Sequence, residues 1–567
     1  MFKRLQTLCL LALLSAGNAA QAQYVFTKID INPGSADSNP IDFFSCDTLM
    51  YLQANDGTHG SEPWLSDGTI AGTRMLKDIN PGGAASEATW FCYYKGKTYF
   101  SASDGVNGKE LWVTDGTAAN TQMLADLNPG AASSVPESLV VCNDKLFFEA
   151  NNGINGVELW VTDGTAANTQ MLKDIKAGAA TSRIGNIMPH NNVLLFSADN
   201  GTDGIELWRS DGTPAGTYMV KDIAPGASSS MLADNNGIVL FKGKVLFPAN
   251  DNTITDREIW ETDGTEAGTK LSIDYKGANW SSRPWGDLTV CGSKLYFRGY
   301  DTAAGGGVER LFVSDGTTAT PLFRTDGTGP TFPGDLTPWD DKLYFTGDHS
   351  TAKNELWVTD GTNAGTDTAF NYNKDTSSIP GGNNSNIHNV FVYGSHLFMH
   401  ATTTYISGNN GELVVSDGTP SGTRVLAPPT ADVVGSMNNT TYHQKILNNK
   451  LFIRANFETA SGTELWIITD TTLTDTATSV NNVKPSPAFY TLAPNPANDV
   501  LQVALNSSHT DGHISITDMT GRRLFEKTVT TGEKLQAIST ADMPAGTYIF
   551  SYTALGTTTS KKFVIQR

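Results

Sequence analysis

Residues 110–124 read ELWVTDGTAANTQML, and residues 158–172 repeat the same letters 48 positions later. Weaker copies of this stretch recur along the chain at intervals of 45 to 57 residues. Self-similarity at this period is typical of solenoids and propellers. Aligned on their shared aspartate, the nine copies fall at Asp67, Asp115, Asp163, Asp211, Asp263, Asp315, Asp360, Asp417 and Asp470.

The interior of one unit distinguishes a propeller from a solenoid. In the third unit, SLVVCN, KLFFEAN, GVELWVTD and TQMLKDI are β-rich segments separated by Gly- and Asn-rich turns. Their apolar runs are continuous, as in a sheet that is covered on both faces. The sequence therefore predicts an all-β fold, a large β-propeller of about eight or nine four-stranded blades. An open array and eight blades plus a stray unit remain alternatives.

Three repeated features have local explanations. A tryptophan occupies one position in seven units, with Phe312 and Val414 in the other two, which predicts packing between blades. The Asp-Gly-Thr stretch is typical of a tight turn. Residues 25–34 resemble a fourth strand with nothing before it, so we expect this segment to complete the last blade.

The N-terminus has the pattern of a signal peptide over residues 1–22. Lys3 and Arg4 precede a short apolar run, and Ala20-Gln21-Ala22 fits a cleavage site. No later stretch has the length of a membrane span, so we expect no transmembrane segment in the mature chain. A net charge of −19 disfavours nucleic acid as a partner.

The four cysteines after the leader carry no metal-binding spacing. We expect them to be small buried hydrophobes, with a bridge from Cys92 to a neighbouring unit as the only plausible disulfide. They are Cys46, Cys92, Cys142 and Cys291.

Because of these repeated units, residues 24–470 resemble the ELWxxDGT repeat of exported bacterial proteins. Departures from the pattern occur at Pro63, Arg310 and Val414, and Asp470 is not followed by Gly. The resemblance implies repeated architecture and export, and it implies no catalytic activity.

After a Thr-, Asn- and Pro-rich linker at 471–489, residues 490–567 predict a small C-terminal β-sandwich. This tail resembles the C-terminal sorting domain of the type IX secretion system of Bacteroidetes. The resemblance implies recognition by that machinery and a secreted or outer-membrane, cell-surface protein. The residues that carry it are Pro494, Asn495, Pro496, Asp518, Gly521, Gly546, Tyr548, Lys561 and Lys562.

The sequence holds no recognisable catalytic motif, and we expect no catalytic residues that a linear pattern could show. His396 and His400 lie four residues apart on a predicted strand, too far apart to share a metal directly. Asp199, Asp203 and Glu206 are weak calcium candidates, because carboxylates on Gly-rich loops suit that ion. We expect no other metal or cofactor.

Irregular loops on one face of the propeller are the predicted binding surface. They cover residues 277–286, 300–309 and 402–411, and Trp280, Trp285 and Tyr300 are the candidate ligand-binding residues. The sequence favours an exported binding or adhesion scaffold for carbohydrate or protein. A propeller hydrolase acting on extracellular polysaccharide or ester, and a structural envelope protein, are the alternatives.

Overall fold

The computed structural model is all-β. It contains no α-helix among the residues that it describes, only a 3-10 turn at Ala166–Asn168. The chain divides into two compact units at Asn481. The described residues are 23–231, 237–252, 257–273, 280–281, 288–301, 308–348, 354–370, 386–401, 411–431, 444–458, 460–473, 490–493, 500–505, 512–518, 523–530, 535–541, 543–544, 546–554 and 557–565.

The first unit begins with β1 (Tyr24–Ile29), and the strands that follow form antiparallel sheets in chain order, which we name sheets I to IX. Sheet I comprises β2 (Ile41–Cys46), β3 (Leu49–Asn55), β4 (Ser61–Ser66) and β5 (Arg74–Met75); sheet II comprises β6 (Thr89–Tyr94), β7 (Lys97–Ser103), β8 (Lys109–Thr114) and β9 (Gln122–Ala125); sheet III comprises β10 (Glu137–Cys142), β11 (Lys145–Asn151), β12 (Val157–Thr162) and β13 (Gln170–Lys173); sheet IV comprises β14 (Gly185–His190), β15 (Val193–Asp199), β16 (Ile205–Ser210) and β17 (Tyr218–Lys221).

The remaining sheets keep this pattern, with one extra strand in sheet VI. Sheet V comprises β18 (Val239–Phe241), β19 (Lys244–Ala249), β20 (Glu258–Thr262) and β21 (Lys270–Ile273); sheet VI comprises β22 (Trp280–Ser281), β23 (Thr289–Cys291), β24 (Lys294–Asp301), β25 (Val308–Ser314) and β26 (Ala319–Pro321); sheet VII comprises β27 (Thr331–Trp339), β28 (Lys342–Asp348), β29 (Glu355–Thr359) and β30 (Asp367–Phe370); sheet VIII comprises β31 (His388–Tyr393), β32 (His396–Ala401), β33 (Glu412–Ser416) and β34 (Arg424–Val425); sheet IX comprises β35 (Gln444–Leu447), β36 (Lys450–Ala455) and β37 (Glu464–Asp470) together with β1.

Each sheet packs on the next through a buried apolar cluster. Between sheets III and IV, Phe147 and Leu159 meet Phe196 and Trp208. The predicted role of the repeated tryptophans is confirmed, since six of the seven are buried and Trp64 is half-buried. The buried six are Trp112, Trp160, Trp208, Trp260, Trp357 and Trp466.

Sheet IX is built from both ends of the first unit, as expected. Strand β1 pairs antiparallel with β37, so that Tyr24 lies opposite Asp470. One apolar cluster joins sheet IX to sheet VIII, and another joins it to sheet I through Ile29, Leu52 and Phe452. The first and last sheets of the series are therefore in contact.

The Asp-Gly-Thr stretch forms the predicted turn between third and fourth strands. In sheet II, Asp115 accepts hydrogen bonds from the Thr117 amide at 3.0 Å and from its hydroxyl at 2.7 Å. Gly116 has a φ of 91°, a conformation that glycine adopts without strain. The turn therefore fixes the register of each outer strand pair.

The glutamate of each ELW stretch is a buried structural group that the sequence did not reveal. Glu110 accepts the amides of Leu127 at 2.7 Å and Ser134 at 2.9 Å, tying the end of one unit to the start of the next. Glu464 does the same for the N-terminal segment, accepting the Ile31 amide at 2.9 Å. Burial raises the pKa of this carboxyl to about 7 in Glu62, Glu158, Glu206 and Glu464.

All four cysteines of the described residues are free thiols. Cys142 and Cys291 are buried, as expected, whereas Cys46 and Cys92 are half-buried. Burial raises the pKa of each thiol. Within the described ranges, no helix has the length and apolarity to cross a membrane.

The second unit holds two antiparallel sheets and a core of its own. One has the order β38 (Tyr490–Ala493), β39 (Val500–Leu505) and β42 (Leu535–Ser539); the other has the order β41 (Arg523–Val529), β40 (Gly512–Asp518), β43 (Gly546–Ala554) and β44 (Thr557–Ile565). Val503 of the first sheet and Phe550 of the second are fully buried in one cluster. The two sheets therefore share a single core.

Candidate ligand-binding site

The first strands of the sheets lie side by side in the first unit. Strand β6 contacts β2 and β10, and β2 contacts β35 of sheet IX. These strands, which we call the inner strands, therefore form a surface to which every sheet in that region contributes one strand.

Most inner strands carry a β-bulge whose first residue has a positive φ. The values are 55° for Asp42, 58° for Trp90, 54° for Ser138 and 49° for Asn186, at a spacing of 48 residues. Asp335 and Asn389 occupy the corresponding place in sheets VII and VIII. A bulge turns its extra side chain out of the regular alternation, and bulges are frequent beside active sites. We call these six residues the bulge residues.

Three bulge residues border a cavity of about 360 Å³ at the inner strands of sheets II to IV, which reaches residues just before sheet V. Four of its seven lining residues are aliphatic, and the others are Trp90, Ser138 and Asn186. Binding pockets commonly combine apolar walls with a few polar groups in this way. The aliphatic residues are Leu139, Val140, Ile187 and Ile238.

Trp90 differs from the repeated tryptophans in both exposure and backbone. Its side chain is 44% exposed, whereas Trp112 of the same sheet is 6% exposed. A bulky residue in the left-handed region costs about 1–3 kcal/mol. The fold therefore holds a large aromatic ring at the cavity against both a conformational and a hydration cost, which is a pattern that points to function.

Two acidic residues stand next to the cavity. Glu137 precedes Ser138 and lies directly opposite Glu149 across strands β10 and β11. Glu137 is exposed and Glu149 is half-buried. Burial raises the pKa of Glu149 to about 7, while a hydrogen bond from Ser138 acts in the opposite direction. Asn186 is 4% exposed, and its amide donates to the Ser197 hydroxyl at 3.2 Å.

The ligand-binding residues predicted from sequence lie elsewhere. The backbone of β22 pairs Trp280 with Asp301 and Ser281 with Tyr300, so Trp280 and Tyr300 are near neighbours at one end of sheet VI. The Tyr300 hydroxyl donates to Glu309 at 3.1 Å. Trp285 lies outside the described residues, as do most of the loops at 277–286, 300–309 and 402–411.

The weak calcium candidates already have protein partners. Glu206 accepts the Ser230 amide at 3.0 Å and the Ile223 amide at 2.9 Å. Asp199 accepts Lys176 Nζ at 2.6 Å, and Asp203 accepts the Asn200 amide group at 2.7 Å. Among the residues that the structure describes, no group of three His, Cys, Asp or Glu side chains is placed to hold a metal.

His400 is buried, and its ring packs edge-on against that of His388, with the centroids 5.4 Å apart. Burial and the neighbouring His388 lower the pKa of His400 to about 3. His396 stacks edge-on against Tyr24 instead. The predicted separation of His396 from His400 is consistent with these different surroundings.

Residue type alone could not reveal the cavity, because its three bulge residues have nothing in common chemically. The available signal was positional. Trp90 is a tryptophan outside the repeated Trp position, and Asp42, Ser138 and Asn186 stand at steps of 48 residues from it. Identifying these residues from sequence would have required predicting a β-bulge at this position of the strand.

Of the sorting-motif residues, the structure describes the side chain of Tyr548, which is buried and donates to the Pro544 carbonyl at 2.6 Å. Asp518 ends β40 and lies opposite Tyr548, while Gly546 begins β43. Lys561 and Lys562 lie in β44, opposite Phe550 and Ile549. Pro494, Asn495, Pro496 and Gly521 lie outside the described residues.

A family model confirms the expected tail. Residues 491–566 match the secretion system C-terminal sorting domain, the type IX domain predicted from the motifs. This domain directs a protein to secretion and cell-surface attachment and engages the secretion machinery. The protein is therefore exported to the cell surface or beyond.

A search of curated proteins finds no significant match. Among solved structures, the chain is similar to a prolyl endopeptidase, with 10% identity, a TM-score of 0.32, and coverage of 70% of this chain and 59% of the endopeptidase. It is also similar to the β-propeller domain of the Trilobed protease from Pyrococcus furiosus, with 11% identity, a TM-score of 0.31, and coverage of 61% of this chain and 98% of that domain.

A third similar structure is the GH74 xyloglucanase from Xanthomonas campestris, with 11% identity, a TM-score of 0.31, and coverage of 94% of this chain and 87% of the xyloglucanase. The chain spans little more than half the length of the peptidases that it matches, with 59% and 53% for the first two. At these TM-scores, the similarities support no inference about activity.

Proposed function

We propose that this protein is an exported, surface-attached binding protein that captures carbohydrate in the cavity beside Trp90. The sorting domain accounts for export, and residues 24–470 supply the binding unit. The observation that carries the proposal is the partly exposed ring of Trp90, which a left-handed backbone holds at the cavity.

The chemistry of the cavity favours a sugar over an entirely apolar ligand. Sugar rings have apolar faces that stack on indole and hydroxyl edges that need hydrogen-bonding partners. Trp90 supplies such a ring, and the Ser138 hydroxyl lies at the same cavity. Asn186 also lines the cavity, where its buried amide donates to Ser197.

We further propose that the first unit is a closed, nine-bladed propeller of the ELWxxDGT type and that the second is a β-sandwich. Support for closure comes from sheet IX, which shares apolar clusters with both sheet VIII and sheet I. Contact between β2 and β35 also supports it. A closed ring holds the inner strands rigid and keeps Trp90 in place.

The test is a glycan array probed with the mature chain from residue 23, beside the Trp90→Ala variant. We expect binding to a restricted set of glycans and at least a tenfold loss of affinity on removal of the indole. Tyr93→Ala is the matched control, because Tyr93 is 40% exposed on the same strand and does not line the cavity.

Three results would contradict this function: no glycan bound across a broad array, full affinity in Trp90→Ala, or equal losses in both variants. Hydrolysis of a bound glycan would instead favour the hydrolase alternative. Small-angle scattering of the first unit tests closure separately, because an open array is more extended than a ring.

A further inference from the structure

We propose that Glu137 and Glu149 form a charge filter beside the cavity, so that the site accepts neutral sugars and rejects anionic ones such as uronates. This inference rests on the proposed carbohydrate binding and names its substrate class. It depends on where the sheet places the two carboxyl groups and on which charges surround them.

The strand register puts both side chains on the same face of sheet III. Residues directly opposite in an antiparallel pair point to the same side, with Cβ atoms about 4.5–5.5 Å apart. Glu137 and Glu149 are such a pair, immediately before the bulge that begins at Ser138. Ser138 itself lines the cavity and hydrogen bonds to Glu149. The two acids therefore flank the hydroxyl that a sugar would meet.

Apolar side chains surround Glu149 on its face of sheet III. Its opposite residue on β12 is Leu159, and the sheet IV side chains packed against that face include Phe196 and Ala198. Glu137, directly opposite on β10, acts on Glu149 by repulsion and raises the pKa of its carboxyl. By contrast, Lys109 acts on Asp42 of sheet I and offsets its charge.

A carboxylate on a ligand at Ser138 would therefore meet two like charges in a partly desolvated site. Like charges several ångströms apart near a protein surface repel strongly enough to change affinity about tenfold or more. The protein's net charge of −19 adds to this repulsion. A neutral sugar experiences none of it and retains its contacts with Trp90.

The strength of the charge filter should also depend on pH. Burial raises the pKa of Glu149 to about 7, so this carboxyl gains its negative charge as pH rises from 6 to 8. Glu137 is the titratable group that faces it. Discrimination against anionic sugars should therefore increase over this interval.

The experiment measures the affinity of the full mature chain for pairs of oligosaccharides with equal length and linkage. The members of a pair differ only in the oxidation of C6, as do glucose and glucuronate oligomers or galactose and galacturonate oligomers. We expect the neutral member of a bound pair to bind at least tenfold more tightly at pH 8. The double variant Glu137→Gln and Glu149→Gln should reduce that ratio several-fold.

Glu266→Gln is the control for the single variants Glu137→Gln and Glu149→Gln, because Glu266 lies exposed in the turn before β21 and each of the three changes removes one negative charge. We expect the ratio in this variant to equal that of the wild type. Thermal melting verifies that each variant is folded before its ratio is interpreted.

Two outcomes would overturn the filter while leaving carbohydrate binding intact: uronates binding as tightly as neutral sugars, or an unchanged ratio in the double variant. No binding to either member of any pair would overturn both the filter and the proposed function. A ratio that does not rise between pH 6 and pH 8 would remove Glu149 from the filter.

Discussion

The inner strands use one backbone device for two purposes. In sheets VII to IX, the bulge residues connect neighbouring sheets: the Asn389 amide N–H donates to Asp335 at 3.1 Å, and Asn389 exchanges two side-chain hydrogen bonds with Gln444 at 3.1 and 2.8 Å. In sheets II to IV, the bulge residues border a cavity, and Trp90 is 44% exposed.

This difference shows that the bulge is a presentation position whose use depends on its side chain. Asp335 and Asn389 at this position bond to the next sheet. Ser138 and Asn186 bond within their own sheets, and the Trp90 ring remains partly exposed at the cavity. A site could therefore arise from a structural position by changing a side chain, with the backbone left unchanged.

The largest expected effect separates the two kinds of tryptophan. Trp208→Ala removes a buried ring between sheets III and IV and should lower the free energy of unfolding by about 3–5 kcal/mol. Trp90→Ala should cost less, about 1 kcal/mol, because nearly half of that side chain is exposed. Chemical denaturation of both variants measures this, and a similar loss in both would mean that Trp90 is a packing residue.

The next largest effect concerns the hydrogen bonds that connect sheets VIII and IX. Asn389→Ala removes both hydrogen bonds to Gln444 and should cost about 1–3 kcal/mol of unfolding free energy. Ser138→Ala, at the same bulge position beside the cavity, should cost less than about 1 kcal/mol. Equal costs in urea denaturation would show that the two regions do not differ in this way.

The buried glutamates of the ELW stretches should make the stability of the fold decrease with rising pH, both in the sheets that border the cavity and in those that do not. The pKa of Glu206 and of Glu464 is about 7 in the folded protein, above the ordinary value of 4.5. The folded state therefore binds more protons than the unfolded state between these values, so stability falls as pH rises from 5 to 8.

Each such carboxyl should contribute a loss on the order of 1 kcal/mol over that interval. Melting temperatures of wild type, Glu206→Gln and Glu464→Gln across pH 5 to 8 provide the measurement, and each variant should show a flatter dependence. Stability that rises with pH, or variants that follow the wild-type slope, would exclude this role for the glutamates.

The smallest expected effect concerns backbone strain. Trp90→Gly relieves a positive φ of 58° and should stabilise the fold by about 1 kcal/mol despite the added flexibility of the unfolded chain. Asp335→Gly relieves a φ of 47° but also removes the acceptor of the Asn389 amide, so we expect no gain. Calorimetry measures the thermal stability of the two variants. Stabilisation in both would show that relief of backbone strain outweighs the loss of the side-chain hydrogen bond at Asp335.

Much of the fold was readable from sequence because its signals repeat. Strand order, the Asp-Gly-Thr turn and the buried tryptophans each follow from residue types that have one dominant local behaviour. The role of Glu110 was not readable, because its partners Leu127 and Ser134 lie 17 and 24 residues away and donate through their backbones. Sequence shows the acceptor but not the amides that reach it.

The candidate site was harder to predict for a related reason. Sequence reasoning selected Trp280, Trp285 and Tyr300 because they are aromatic residues in loops that depart from the repeat, and binding residues often lie in such loops. Trp90 lies inside a regular strand of a regular unit. Only its φ and its 44% exposure distinguish it, and both depend on a bulge that no single residue encodes.

The pairing of Tyr24 with Asp470 has a consequence for how the chain matures. Strand β1 precedes its partner β37 by more than four hundred residues along the chain. Joining ends so far apart carries a loop-entropy cost on the order of 5 kcal/mol and slows folding. During synthesis β1 therefore remains without its partner until almost the entire unit has been made, so sheet IX can form only when the unit is complete.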